Sequence, residues 1–170
     1  MKLDLSGLDQ PAVFLRVEDY LRQIGLRIAS SDLKRPWGGF FVIDDKQAAF
    51  FASLFFPDER LLSEFPGAKL SPKILLVGPG KRLSWQYHHR RAEIWRVISG
   101  LAGVLRSDTD IQGDLQRFQT GQVIRLAKGE RHRLVGLEEW GVIAEIWQHT
   151  DKDNPSDEDD IVRLQDDFGR

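Results

Sequence analysis

The side chains best suited to chemistry lie close together in the chain: Gln86, His88 and Glu93, with His132 just after the turn Ala127-Lys128-Gly129. Residues 86 and 88 are two apart, so on a strand their side chains share one face. Glu93 opens the next β-like run and faces the same way as Trp95 and Val97. If these runs line a barrel, an amide oxygen, two imidazoles and a carboxylate converge. That donor set suits one divalent ion. Imidazole binds Zn, Mn, Fe, Co or Ni, and the oxygen donors favour a harder, octahedral-type ion. The chain has no cysteine, which removes disulfides, thiolate ligands and a cysteine nucleophile. A closed structural zinc site is then less natural, and positions left for water or substrate are what a catalytic metal requires. His89 points away from the face used by His88. Gly78-Pro79-Gly80 lacks the spacing and the following helix of a phosphate loop and reads as a turn between strands.

The elements that must position these groups are short strands. From Lys73 onward, β-like runs alternate with glycine or polar turns about every ten residues: Lys73–Val77, Arg82–His88, Ala92–Ile98, Ala102–Ser107, Leu115–Phe118, Gln122–Leu126, His132–Val135 and Trp140–Trp147. Even spacing of many short strands predicts an all-β sandwich or small barrel. Before them the chain reads as helical. Val13, Phe14, Val17, Tyr20, Leu21 and Ile24 mark one helix face, with Pro11 in its first turn and Gly25 at its end. A second helix is predicted over Lys46–Phe56, capped by Asp44 or Asp45, with a strand as the alternative for the same run, and Pro57 ends either. Leu61–Pro72 reads as a loop, and the acidic Asp151–Asp160 as a solvated one. The apolar residues after Asp160 should dock on the barrel. The expected organisation is a single domain: a helical extension over residues 1–60, then a barrel with its docking segment over 61–170.

Composition narrows the function. The chain has 170 residues, 41% of them hydrophobic, which fits one domain with a core of its own. Lysine plus arginine number 24 and aspartate plus glutamate 26, a net charge of -2 without the basic excess of a nucleic-acid binder. The densest apolar run, Ala48–Phe56, is far short of the about 20 residues that cross a bilayer. The start lacks the apolar stretch of a signal peptide. No nucleic acid and no membrane are expected as partners, and a cytoplasmic protein is expected.

The spacing also resembles the two motifs of the cupins. Gly80, Gln86, His88, Glu93 and Gly100 match the first, with Gln86 in place of its first histidine. Gly121, Ala127, Gly129 and His132 match the second, with Ala127 for the usual proline. A narrower resemblance is carried by Arg35-Pro36-Trp37-Gly38, by the run from Leu83 to Trp95, by Glu158-Asp159-Asp160-Ile161-Val162-Arg163, and by Asp166-Asp167-Phe168-Gly169-Arg170. These are similar to the type II mannose-6-phosphate isomerase domain, commonly the carboxyl-terminal half of bifunctional isomerase/guanylyltransferase enzymes. The resemblance implies a cupin (double-stranded β-helix, jelly-roll) barrel with Gln86, His88, Glu93 and His132 as metal ligands. It implies pocket roles for Arg91, Arg133, Glu145, Arg163 and Arg170, and an aldose–ketose isomerisation of a sugar phosphate through an enediol.

Within that implied reaction Glu145 is the base, or else an arginine's partner. Arg91 is either a barrel-mouth salt bridge or a group facing an anionic substrate, and Arg91, Arg133 and Arg163 are the phosphate groups, since a guanidinium fork suits phosphate. Trp37 and Trp95 read as core or pocket wall. The sequence departs from the family's pattern in a longer, acidic link over Asp151–Asp157 and in Trp147, where glutamine is usual. It is also too short to include the guanylyltransferase half. Two other readings stay open: a non-heme metal oxygenase, since two histidines and a carboxylate also suit iron, and a non-catalytic sugar- or metal-binding module. A homodimer through sheet edges is expected, since exposed edges need covering.

Overall fold

The structure, a computed structural model, describes residues 3–59, 69–151 and 153–169. It opens with the helix α1, Gln10–Gln23, where the Asp9 carboxylate accepts the Ala12 N–H. Gly25, at φ +85°, ends it: its N–H reaches the Arg22 carbonyl and the Leu26 N–H reaches that of Leu21, so two otherwise orphaned carbonyls are satisfied. Val13, Phe14, Val17 and Leu21 are its buried face, as the periodicity predicts. The second predicted helix is shorter than its apolar run: a 3-10 turn, Asp45–Gln47, leads into α2, Ala48–Phe55.

Between the two helices of the extension the structure adds a hairpin that the sequence reading did not include. Residues Ile28–Arg35 form β1 and Gly38–Ile43 form β2, an antiparallel hairpin turning at Pro36-Trp37. β1 is an edge strand with polar, exposed positions, so it lacks the apolar alternation that marks a half-buried strand. A Cβ on Gly38 would lie 2.0 Å from the Leu76 carbonyl oxygen, so only glycine lets the hairpin close here. The remaining strands follow the sequence reading closely. They are β3 (Lys73–Val77), β4 (Trp85–His88), β5 (Arg91–Ser99), β6 (Leu101–Ser107), β7 (Gln116–Gln119), β8 (Val123–Leu126), β9 (Arg131–Gly136), β10 (Gly141–His149) and β11 (Ile161–Gln165).

The strands form two antiparallel sheets, ordered β1-β2-β3-β10-β5-β8 and β11-β4-β9-β6-β7. Between the sheets lies one apolar cluster with Leu75, Val77, Trp95, Val97, Val104, Leu134 and Ile143. The outer face of the larger sheet carries a second cluster, where Phe41, Ile43, Ile74, Leu76, Ala144 and Ile146 meet the buried faces of both helices. β3 is therefore buried at every position and reads as a continuous apolar run broken only by Lys73. The docking segment behaves as expected, since β11 pairs with β4. The acidic link before it is not simply solvated: Ser156 and Asp160 are buried, and a 3-10 turn, Glu158–Asp160, folds it onto the barrel.

Candidate metal centre and pocket

Alternation decides what enters the space between the sheets. On β5 the inward positions include Glu93, Trp95 and Val97. On β10 they include Ile143, Glu145 and Trp147, with Glu145 opposite Trp95 and Trp147 opposite Glu93. Gln86 of β4 pairs with His132 of β9.

Glu93 is the centre of the floor. It lies 3.1 Å from His88 Nε2 through one oxygen and 3.5 Å from His132 Nε2 through the other. One donor atom from each of His88, Glu93 and His132 lies within 4.8 Å of the others, and all three residues are buried. His132 Nδ1 lies 2.9 Å from the Glu130 carbonyl, to which a protonated Nδ1 donates, and the ring thereby turns Nε2 toward Glu93. That Nε2 is buried with no hydrogen-bond partner among the described residues, and it faces a carboxylate. A carboxylate and an imidazole nitrogen turned toward each other in a dry site need a positive centre between them, a proton or a metal ion. The donor set therefore fits a divalent metal.

Ionisation follows the same logic. Burial pushes Glu93 up, but His88, Arg91 and His132 around it outweigh burial and hold the carboxyl well below its usual range. Burial also lowers His88, with Arg91 adding to the effect and Glu93 opposing it. A metal ion takes the place of those imidazole protons, since it binds the carboxylate ionised and the imidazoles neutral.

Arg91 braces this floor. Its Nε donates to Glu93 (2.8 Å), its Nη1 to the Ser156 hydroxyl (2.9 Å) and the Asp157 carbonyl (3.0 Å), and its Nη2 lies 3.2 Å from His88 Nε2. Only 2% exposed, it holds Glu93 and His88 in place more than it awaits an anion. Asp160 braces the turn from behind, accepting the backbone N–H groups of His89 and Arg90 and the Ser156 hydroxyl. Nothing in the acidic run singled out Asp160 from its exposed neighbours. The signal available was its fixed place before Ile161-Val162-Arg163.

Glu145 stands on the wall. One oxygen accepts the Trp95 indole N–H (3.0 Å) and the other that of Trp147 (3.1 Å), while the same Trp95 N–H also reaches Glu93 (3.1 Å). Burial, reinforced by the Glu93 charge, pushes the Glu145 carboxyl up to about 7, against the pull of Lys73 and Arg91.

The cavity is lined by Gln86, Arg91, Glu93, Glu145 and Arg163 among the expected residues. His88 and His132 are buried and are not among its lining residues, and Glu93, which lines it, lies against both. Gln86 accepts the Ser84 hydroxyl at 2.7 Å through the amide oxygen that would face a metal. His89 is exposed and stacks edge-on against Tyr87.

Arg133 is not brought into the cavity. Next to His132 on one strand it must take the opposite face. There it is buried under the C-terminal segment, reaching the Gln165 carbonyl at 3.2 Å and Asp167 at 3.5 Å. Arg170 lies outside the described residues. Sequence reasoning missed Lys73, which lines the cavity with its ammonium 3.9 Å from the centre of the Trp147 ring. A lone lysine opening an otherwise apolar strand, on the inward face with Leu75 and Val77, was the signal.

Comparison with known proteins agrees with this architecture. The sequence model of the family described as "Mannose-6-phosphate isomerase C-terminal" matches residues 65–166. The chain belongs to this family. Among curated relatives, the xanthan biosynthesis protein XanB of Xanthomonas campestris pv. campestris (strain B100) is 31% identical over 136 residues, 80% of this chain and 23% of the relative. A mannose-1-phosphate guanylyltransferase of Escherichia coli (strain K12) is 30% identical over 139 residues, 82% of this chain and 23% of that protein. The chain thus spans about a quarter of the length of these members. Oxalate decarboxylase from Bacillus subtilis shares the fold, with a TM-score of 0.56 at 16% identity, covering 79% of this chain and 30% of that one. The cupin barrel expected from the motifs is the observed fold. Among the described residues, no helix is long and apolar enough to cross a membrane.

Proposed function

We propose that the cavity isomerises a sugar phosphate between aldose and ketose forms, with mannose 6-phosphate and fructose 6-phosphate as the first substrates to test. One observation carries the reading: His88, Glu93 and His132 offer donor atoms within 4.8 Å of one another at the floor of a cavity whose wall holds a second carboxyl poised near neutrality. His88, Glu93 and His132, with Gln86 as a fourth ligand, would hold the divalent ion. A bound ion supplies Lewis acidity toward the sugar oxygens, which lowers the cost of the developing oxyanion by several kcal/mol.

The chain's own residues do the rest. Glu145 takes the proton from the carbon next to the carbonyl and returns it to the former carbonyl carbon, while that neighbour's hydroxyl proton passes to the former carbonyl oxygen, so no atom is lost in the net rearrangement. A carboxyl near 7 suits both halves of that shuttle at neutral pH. Trp95 and Trp147 hold both of its oxygens in place. Arg163, at the cavity's edge opposite Gln86 on β11, offers a guanidinium fork to the phosphate.

The test is conversion of mannose 6-phosphate to fructose 6-phosphate by protein loaded with each divalent ion. Turnover that depends on the ion and disappears in His132→Ala supports the proposal. No turnover by the ion-loaded wild type, with any of these ions, contradicts it. One observation favours a second reading, a sugar- or metal-binding module without turnover: each Glu145 oxygen already accepts an indole N–H. Sugar-phosphate binding with no conversion would select it.

A further inference from the structure

We propose that Lys73, Trp37 and Arg163 form an anion subsite at the cavity mouth, and that Glu158 of the acidic link is a tethered competitor that the substrate's anionic group displaces. This rests on the sugar-phosphate reading for the choice of substrate, but its argument is local. Lys73 is 9% exposed, an unusual place for an ammonium group, which is rarely so buried without a built partner. Its stem emerges from β3 opposite Glu145, and its ammonium sits over the Trp147 ring at 3.9 Å and over the Phe40 ring at 5.4 Å.

Among the described residues the ion-pair partner of Lys73 is not the buried Glu145 across from it, which it affects only at longer range. It is Glu158, 2.5 Å away, whose own side chain is 64% exposed. Glu158 belongs to the link between β10 and β11, and it reaches the cavity from a one-turn 3-10 helix. The carboxylate thus stands where an incoming anion would stand, on a segment able to yield without breaking a strand. Asp160, two residues on, anchors that segment through three hydrogen bonds, so Glu158 can swing while its tether stays fixed.

Two further donors face the same space. Trp37, 4% exposed, lines the cavity, and its indole N–H is buried with no partner among the described residues. Arg163 also lines it and makes no side-chain ion pair or hydrogen bond among the described residues, although it is largely exposed. Once Glu158 leaves, a buried ammonium, an unpartnered N–H and a guanidinium converge on one opening. Such donors recognise a phosphate or another tetrahedral or planar oxyanion, with charge-assisted bonds stronger than neutral ones.

The probes are inorganic phosphate, mannose 6-phosphate and neutral mannose, titrated calorimetrically into the full chain. Glu158→Gln removes the competing charge and should tighten phosphate and mannose 6-phosphate about 3- to 10-fold, with mannose unchanged. Asp159→Asn makes the same charge change one residue along and should stay within about twofold of wild type. Lys73→Met should weaken both phosphates by about tenfold or more, while Lys73→Arg restores most of the affinity. Unchanged or weaker phosphate binding in Glu158→Gln, or equal tightening in Asp159→Asn, overturns the competitor. Unchanged binding in Lys73→Met overturns the subsite. If phosphate responds to these variants in a protein that never turns over mannose 6-phosphate, the isomerase reading fails and the subsite stands. If turnover is present but the phosphates ignore Lys73 and Glu158, the reverse holds.

Discussion

Glu93 and Glu145 lie in one cavity, both buried, joined by a single indole N–H, and they are driven in opposite directions. Burial acts on both and favours the neutral acid. Around Glu93 the neighbours are Arg91 and two imidazoles, and together they hold it ionised. Around Glu145 the direct partners are two neutral indoles, with Glu93 itself adding repulsion, and its carboxyl rises to about 7. Depth alone therefore does not assign a role. The sign of the nearest charges suits one carboxylate to a metal and leaves the other able to exchange a proton.

The largest effect should come from breaking the Glu93 end. His132→Ala removes a donor that faces Glu93, and both bound metal and turnover should fall to background, read by elemental analysis and by the isomerase assay. Metal retained at full stoichiometry would remove His132 from the ligand set.

Breaking the other end separates the two roles. Glu145→Gln keeps the shape and the contacts to Trp95 while removing the proton shuttle. Turnover should drop about 10²–10⁴-fold with metal content unchanged. In the wild type, kcat should rise with pH through about 7, because the ionised form of Glu145 starts the transfer. A profile flat across neutral pH would reassign the base.

Much of this contrast was legible in the sequence, and the reason is alternation. Gln86 and His88, or Glu93 and Trp95, are fixed to one face by a period of two, so their convergence followed from spacing. The same rule explains Arg133, which was expected in the pocket although it adjoins the inward-facing His132. Both cannot enter the space between the sheets. What spacing did not encode was tertiary. β1 is polar because its edge position leaves it exposed. Asp160 resembles its solvated neighbours and is buried only because the β4–β5 turn needs its two oxygens. The raised carboxyl of Glu145 depends on which groups fold around it, and no local pattern announces that.

A smaller effect is expected at the brace. Arg91→Met leaves Glu93 and His88 without their shared donor, so metal affinity should fall about 10- to 100-fold, as for other groups that orient ligands. Competition with a chromogenic chelator measures it, and an unchanged affinity would make Arg91 a matter of folding only. Smaller still, Trp147→Phe keeps the ring but withdraws one N–H from Glu145. The kcat limb should then move to higher pH by up to about one unit, the worth of one hydrogen bond to a charged group.

His149 offers a comparison outside the cavity floor. Burial lowers its imidazole, and its Nδ1 accepts the Ser156 N–H at 2.9 Å. A histidine lowered in the folded state leaves the unfolded chain binding more protons as pH falls. Its contribution to stability is therefore present above the ordinary imidazole value of about 6.5 and is lost below it. Urea midpoints should decline from pH 7 to pH 5, and His149→Gln should flatten that decline.

The central claim is that His88, Glu93 and His132 grip one cation together. Titration of the protein with Co²⁺, followed by its visible absorption, tests it most directly. The account predicts one ion per chain in the wild type, and a lost or reshaped spectrum in Glu93→Gln with the fold intact by circular dichroism. A wild type that binds no ion stoichiometrically, or a Glu93→Gln protein with the same spectrum and affinity, would contradict it.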